Sequence, residues 1–234
     1  MKKLILLLFL ASLMPVSVKS QALIALLLGD KIQSDKVKMG LFLGEQGSLI
    51  TGAETSGFNP NLSFALGAYV DVKMGNSDKW TLQNYLLFKS PKGGAGLNVN
   101  SEALTDNLVV LINSDKLQRS LTYMQLTPVM RYRLTPIWAV GVGPYMGYLV
   151  KANDIYTAEK AGGDVSFKLK AADQFNSVDY GLVVDLQHRL LKGKGVQFNL
   201  RYEYGLANIY KSSTGMNGKN MAFHVGVGIP MEKK

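Results

Sequence analysis

The two histidines are the first residues in this sequence that could do chemistry. They are His188 and His224, and neither forms a His-x-x-x-His pair or sits in a carboxylate cluster with the spacing of a metal site. A serine hydrolase would need a serine and an acid beside one of them. Ser177 and Asp179 share a predicted strand with His188, but they lie at its far end. We therefore expect no catalytic residue, no metal site and no cofactor, and a structural role for both histidines.

The composition limits the class of protein. The chain has 234 residues, of which 47% are hydrophobic and 18% are charged, and it has no cysteine. It is too apolar for a disordered chain, and the lack of cysteine excludes a disulfide scaffold. Beyond the N-terminus, no stretch approaches the roughly 20 apolar residues of a membrane-spanning helix. The net charge of +9 is dispersed rather than clustered on one helix, which argues against nucleic acid as a partner.

The N-terminus has the three-part plan of a secretory signal peptide. Lys2 and Lys3 precede an apolar run, Pro15 interrupts it, and small residues precede Gln21. We expect residues 1–20 to be removed on export, which lowers the net charge to about +6.

The rest of the chain divides into a short segment and one domain. We expect residues 21–35 to form an N-terminal periplasmic segment and residues 36–234 to form the folded domain. The apolar part of the segment, 22–28, is either a short helix or interfacial piece that closes the periplasmic mouth of the domain, or a disordered leader.

The dominant pattern of the domain has a period of two. From Leu62 to Met74 every second residue is apolar, with small or polar residues between. This alternation is typical of a β-strand that has one apolar and one polar face. The pattern recurs and predicts eight strands, at 37–46, 62–74, 79–89, 119–133, 137–150, 177–190, 195–207 and 220–229.

The connections between the predicted strands alternate in length. Short turns fall at 75–78, 134–136 and 191–194, and long segments fall at 47–61, 90–118, 151–176 and 208–219. Short turns at one end and long loops at the other are typical of outer-membrane barrels. We predict an all-β fold, an eight-stranded antiparallel up-and-down transmembrane β-barrel in the outer membrane, with both termini in the periplasm.

Aromatic residues on the apolar faces form two groups along the strand direction. Those near the short turns are Trp80, Tyr132, Trp138 and Phe198, and those near the long loops are Phe64, Phe88, Tyr148, Tyr204 and Phe223. Tyr and Trp favour the membrane interface, so the groups predict two girdles roughly 25 Å apart. The alternative is a soluble lipocalin-like barrel that carries a hydrophobic ligand inside, for which the girdles and the loop asymmetry would be coincidences.

The second face of the strands predicts a polar lumen. Its charged residues are Lys38, Asp71, Lys73, Arg131, Asp179, Asp185, Arg189, Arg201 and Glu203. An eight-stranded barrel is just wide enough for side chains to fill it, and unpaired buried charges are costly. We expect these charges to pair with one another and to plug the barrel.

Several stretches of the chain, in order, resemble a known family. They are 22–31, 121–132 (LTYMQLTPVMRY), 142–149 (VGPYMGYL) and 201–209 (RYEYGLANI). They resemble the small outer-membrane β-barrel family known as porin-like or PorT-like. The resemblance covers nearly the whole mature chain and implies an OmpX-like barrel in a Gram-negative-type cell, with no single activity. Barrels of this kind usually end in an aromatic residue that the barrel-assembly machinery reads, whereas this chain ends Ile229-Pro-Met-Glu-Lys-Lys234.

We expect a structural or interaction protein rather than an enzyme. Loops on a rigid scaffold are common binding sites, so a protein partner is expected at 90–118 and 151–176. The other expected partners are outer-membrane lipid, lipopolysaccharide and the barrel-assembly machinery. The alternatives are a narrow channel, an accessory component of a secretion system, a lipocalin-like carrier and an outer-membrane lipid-modifying enzyme.

Overall fold

A computed structural model describes residues 36–52, 59–75, 79–98, 116–158, 164–193 and 195–231. The predicted signal peptide 1–20 and the segment 21–35 lie outside the described residues. Across the described ranges, no helix has the length and apolar character needed to cross a membrane.

The described chain is built almost entirely of β-strands. In order they are β1 (Val37–Thr51), β2 (Asn61–Lys73), β3 (Trp80–Asn98), β4 (Lys116–Arg133), β5 (Trp138–Ala158), β6 (Val165–Lys170), β7 (Val178–Arg189), β8 (Gln197–Gly205) and β9 (Lys219–Met231). One helical turn, Leu190–Gly193, and two 3-10 turns, Ala172–Gln174 and Ser212–Thr214, lie between them.

Eight of these strands close into an antiparallel ring. Consecutive strands pair from β1 to β5 and from β7 to β9. Within the ring β5 pairs with β7, and β9 pairs with β1 to close it. This confirms the predicted eight-stranded barrel. The additional strand, β6, pairs with the last six residues of β5 and lies outside the ring.

The two faces of the strands follow the predicted alternation. On β7, for example, Leu182 and Val184 are exposed on the outside, whereas Val183 and Asp185 are buried inside. Because the ring is closed, the strands satisfy one another's backbone hydrogen bonds. The polarity of the side chains therefore determines which face of each strand points outward. The lipocalin-like alternative needs the apolar face inside, and the structure places that face outside.

The short turns and long connections lie at opposite ends, as predicted. We call them the short-turn end and the long-loop end. β1 starts and β9 ends at the short-turn end, where Met39 pairs with Met231.

At the long-loop end the strands run further than predicted. β3 continues to Asn98, β4 begins at Lys116 and β5 continues to Ala158, and β6 forms within the second segment that was predicted to be a loop. The predicted loops 90–118 and 151–176 are therefore wrong in their bounds. Together 90–98, 116–123, 149–158 and β6 form what we call the overhanging sheet.

Irregular register explains why the period-two pattern hid these extensions. In β3 the register shifts between Leu87 and Ser90, so the inward face passes from odd to even residues. Lys89, which the alternation placed on the polar face, is exposed outside, and Lys92 turns inward. A second shift lies near Gly96, whose φ of 74° is one that glycine adopts without strain.

Candidate functional site

The barrel interior is lined by ionic side chains that pair across the ring. Four groups follow one another from the short-turn end to the long-loop end, as the strand register orders them. The first three groups join strands that are not neighbours in the sheet, and the fourth joins a neighbouring pair to the connection between β8 and β9.

The first group lies at the short-turn end. Arg189, at the end of β7, forms a salt bridge with Asp71, near the end of β2. Its Nε also donates to Gln187 Oε1 at 2.8 Å. The pair joins strands that are several positions apart in the ring, so it braces the barrel across its width.

The second group is built on one shared carboxylate. Asp185 accepts hydrogen bonds from Arg131 of β4 and from Arg201 of β8, whose Nη2 lies 3.1 Å from its Oδ2. The Arg201 guanidinium also lies 3.9 Å from the ring centroid of Tyr85, a distance typical of a cation–π contact. Two cations on one acid leave this layer with excess positive charge.

The third group has a lysine at its centre. Lys92 Nζ lies 3.2 Å from Asp179 Oδ2 and 3.1 Å from Glu203 Oε2, and 3.8 Å from the ring centroid of Tyr145. Asn220 adds a hydrogen bond to the same Asp179 oxygen at 3.0 Å. Lys92 is fully buried, so these partners replace the water that its ammonium group has lost.

His224 completes this third group. Its Nε2 lies 3.2 Å from Glu203 Oε1, and that oxygen accepts a hydrogen bond from Gln125 Nε2 at 2.7 Å. The His224 side chain is fully buried, and neither ring nitrogen makes a hydrogen bond to the described residues.

The fourth group lies in the overhanging sheet. Arg119 donates from Nε and Nη2 to the two carboxylate oxygens of Asp154, at 2.8 and 2.6 Å, and from Nη1 to Tyr210 Oη at 2.9 Å. Burial alone would lower the pKa of Arg119, but the hydrogen bonds and charge of Asp154 outweigh it and hold the pKa above its ordinary value. Arg119 is therefore a fixed cation that ties β4 to β5 and to the β8–β9 connection.

Apolar side chains pack around this fourth group at the long-loop end of the interior. Phe175 and Tyr210 stack with ring centroids 5.1 Å apart, and Leu121, Tyr123 and Ile209 are buried beside them. The ion pair at this end is thus enclosed by apolar side chains.

The residues predicted to line the lumen take different positions. The buried ones are Asp71, Arg131, Asp179, Asp185, Arg201 and Glu203. Lys38 and Lys73 lie at the short-turn end, where Lys38 is exposed and Lys73 is half-buried, and Arg189 is half-buried there.

Sequence reasoning missed three ionic residues that the structure brings into this arrangement. Lys92, Arg119 and Asp154 are paired and buried, although Lys92 and Asp154 were placed in predicted loops and Arg119 was left off the predicted lumen. For Lys92 and Asp154 the signal was an alternation that resumes after a register shift, whereas Arg119 shares the unbroken alternation of β4 with Tyr123 and Arg131.

The predicted girdle aromatics lie on the outer surface. At the short-turn end Trp80 packs on Tyr132 with ring centroids 4.9 Å apart, and Trp138 packs on His188 at 4.4 Å. The exposed members are Trp80, Trp138, Phe64, Tyr148, Phe198, Tyr204 and Phe223, while Tyr132 and Phe88 are half-buried.

The remaining candidates for chemistry are not brought together. Ser177 and Asp179 lie at the long-loop end of β7, and His188 lies at its short-turn end beside Trp138. Asp179 contacts Lys92, and His224 contacts Glu203. Within the described residues there is no group of three or more His, Asp or Glu side chains that could hold a metal ion.

Comparisons with known proteins agree with this architecture. A family model described as outer membrane protein beta-barrel domain matches residues 30–211. No curated protein matches the chain.

Solved structures with a similar chain course include three outer-membrane proteins. Ail, the attachment invasion locus protein of Yersinia pestis, is 12% identical over 84% of this chain and 99% of its own, with a TM-score of 0.44. OprG of Pseudomonas aeruginosa is 16% identical over 84% and 94%, with a TM-score of 0.35. Neisserial surface protein A is 8% identical over 83% and 96%, with a TM-score of 0.37.

Proposed function

Because the chain belongs to the outer membrane protein beta-barrel domain family, we propose that it is a structural and interaction protein that presents its overhanging sheet at the cell surface. In this orientation the short turns and both termini lie in the periplasm. The observation that carries the proposal is the position of β6, which is the edge strand of the sheet among the described residues.

The composition of β6 supports a binding role. Phe167 and Leu169 are 40% and 39% exposed, and Lys168 is exposed on the opposite face. A strand at the edge of a sheet offers backbone N–H and C=O groups to an added strand. Apolar side chains beside such an edge add contact area, so an extended segment of a partner protein fits β6 better than a small ligand does.

The interior supports a scaffold rather than a conduit. Its cross-section is filled by Arg201, Tyr85, Tyr123, Tyr145 and Lys92, all of them fully buried. Each buried acid is paired with a cation, so opening a path would separate ions in a medium of low dielectric. We propose that the barrel is plugged and has no transport or catalytic role.

The outer surface fits the remaining proposed partners. Aliphatic side chains exposed between the two aromatic groups suit contact with outer-membrane lipid, and the lysines of β6 suit lipopolysaccharide phosphates. The barrel-assembly machinery is the expected partner during insertion.

Photocrosslinking in intact cells tests the proposal. A benzophenone amino acid replaces Phe167 in one variant and Phe198, on the outer face near the short turns, in a matched control. We expect protein adducts from position 167 that protease treatment of whole cells removes, and lipid adducts from position 198. Identical adduct patterns at both positions would contradict a binding role for β6.

Conductance in planar bilayers separates the scaffold from the narrow channel. A plugged barrel gives no steady conductance above that of a protein-free bilayer. Discrete ion-selective openings from the wild-type barrel would favour the channel. Normal export of secreted cargo after deletion of the gene would exclude an accessory role in secretion.

A further inference from the structure

β6 is paired along one edge and open along the other. It runs antiparallel to the end of β5, where Lys170 pairs with Asn153 and Val165 pairs with Ala158. Among the described residues, no backbone hydrogen bond joins its second edge to another strand. Such an edge presents N–H and C=O groups that an added strand can pair with.

An antiparallel pair of identical strands obeys a parity rule. Residues that lie directly opposite each other point to the same face and have the same hydrogen-bonding role, and both properties alternate along a strand. A residue can therefore face only its own copy or a residue that is an even number of positions away. This rule restricts self-pairing of β6 to registers that are centred on one residue.

The register centred on Phe167 brings opposite charges together. Phe167 faces the same residue of the second copy, and Ser166 faces Lys168. Asp164, which directly precedes β6, faces Lys170. Phe167 is 40% exposed, and the three charged side chains are exposed as well. Because the pair has two-fold symmetry, the contact between Asp164 and Lys170 occurs at both of its ends.

The neighbouring symmetric registers are less favourable. A register centred on Ser166 pairs only half of the strand with itself, and one centred on Lys168 sets two lysines directly opposite each other. Like charges in that position destabilise a strand pair, whereas opposite charges stabilise it. Neither Asp164 nor Lys170 forms an ion pair with the described residues, so both are available to a second copy.

The direction of β6 decides where the second copy must lie. β6 runs from the long-loop end back toward the barrel, and it does so in every copy. Two copies in one membrane have β6 strands that run the same way, so these strands cannot form an antiparallel pair. Two copies whose long-loop ends face each other can form one. β5 continues from Tyr148 to Ala158, roughly 25 Å along the barrel axis, so β6 lies beyond the interface aromatics and within reach of a facing copy.

We propose that β6 pairs with β6 of a second copy of this chain, in a two-fold antiparallel contact between barrels that face each other from apposed membranes. The proposal rests on the binding role of β6 proposed above and names the chain itself as the partner. A contact of six residues on each side is small. Many copies on two facing membranes act together, which multiplies the strength of a weak contact.

Cysteine crosslinking of the purified barrel in detergent tests the register, because the chain has no cysteine of its own. Phe167→Cys alone, and Ser166→Cys mixed with Lys168→Cys, place thiols directly opposite each other. Opposite residues alternate between wide and close pairs, so at least one combination has the close spacing of a disulfide. We expect linked dimers from that combination and none from Lys151→Cys, an exposed control on β5. No dimer above the control from either combination would overturn the proposal.

Charge exchange tests the contact between Asp164 and Lys170. Asp164→Lys and Lys170→Asp each set like charges opposite each other at both ends of the pair, whereas a mixture of the two variants restores opposite charges. We expect each single variant to dimerise about tenfold more weakly in sedimentation, and the mixture to dimerise like wild type. Lys151→Asp is the control and should be unchanged. Equal dimerisation of both single variants and wild type would overturn the register.

Phosphatidylcholine vesicles that carry the barrel test the facing arrangement. We expect wild-type vesicles to cluster, vesicles with Asp164→Lys to stay dispersed, and a mixture with Lys170→Asp vesicles to cluster again. Linked Phe167→Cys dimers in vesicles that do not cluster would overturn the facing arrangement, because they would form within one membrane.

Photocrosslinking from position 167 in intact cells separates this proposal from the binding role of β6. We expect adducts between two copies of the chain. Adducts with other proteins alone, from a barrel that stays monomeric in detergent, would overturn the self-pairing and leave β6 as an edge for a different partner. The absence of any protein adduct would overturn both.

Discussion

Lys92 of β3 and Glu203 of β8 meet across the barrel, with Nζ 3.1 Å from Oε2 and both side chains fully buried. Going round the ring, β2, β1 and β9 lie between their strands, so no ladder hydrogen bond joins them. Asp179 and Tyr145 approach Lys92 from β7 and β5. A single ammonium group thus fixes strands from opposite walls of the barrel.

Replacing Lys92 by Met should therefore destabilise the barrel by about 3–5 kcal/mol, because it leaves Asp179 and Glu203 buried without a cation. Urea unfolding in detergent micelles, followed by the mobility shift between folded and boiled protein, measures the change. Lys89→Met is the matched control, since Lys89 is exposed three residues earlier on β3. Equal stability of the two variants would show that the Lys92 contacts do not hold the barrel.

Close contact between β1 and β2 predicts a second effect. A Cβ atom on Gly40 would lie 2.4 Å from the ring of Tyr69 and 2.4 Å from the carbonyl oxygen of Ile229. Gly40→Ala should cost about 1–3 kcal/mol, since the ring and the backbone must both move. Gly47→Ala, in the same strand, places its Cβ 3.4 Å from Leu62 and should stay within about 0.5 kcal/mol of wild type. Unfolding in urea ranks the two, and a larger loss for Gly47→Ala would contradict the packing argument.

The eight strands of the ring could be predicted from the sequence because the alternation of apolar and polar residues is a local property. Each regular strand, such as β8 with Arg201 and Glu203 inside and Tyr202 outside, shows its faces in consecutive residues. The register shift after Leu87 breaks that rule, and Lys92 and the extension of β3 were missed for this reason. Strand β6 was missed because its ladder partner, the end of β5, had itself been assigned to a loop.

Pairing partners were beyond the reach of the sequence for a different reason. The alternation placed Asp185, Arg131 and Arg201 on the inner face, but it could not show that both arginines share one carboxylate. Arg201 lies directly opposite Asp185 on the neighbouring strand, whereas Arg131 reaches Asp185 from β4, beyond β5. That contact depends on the stagger of strands that are not neighbours, which a single sequence does not encode locally.

The Arg119–Asp154 pair predicts an effect confined to the overhanging sheet. Arg119→Leu removes a two-pronged salt bridge and the hydrogen bond to Tyr210, while the ring below keeps its own ladders. Hydrogen bonds to a charged group contribute about 1.5–3 kcal/mol to stability. Their loss should therefore speed amide exchange at 152–158 by roughly 10- to 100-fold. Lys151→Leu, at an exposed position, is the control. Equal acceleration throughout the barrel in Arg119→Leu would show that the pair supports the ring as well.

The orientation of the barrel in the membrane can be tested with single introduced cysteines, because the chain contains no cysteine of its own. Ser213 is exposed in the 3-10 turn at the long-loop end, and Leu134 is 57% exposed in a short turn. Ser213→Cys should react with a membrane-impermeant maleimide on intact cells, whereas Leu134→Cys should react only after the outer membrane is permeabilised. The reverse pattern would place the overhanging sheet in the periplasm. In that case β6 would have to meet a periplasmic partner.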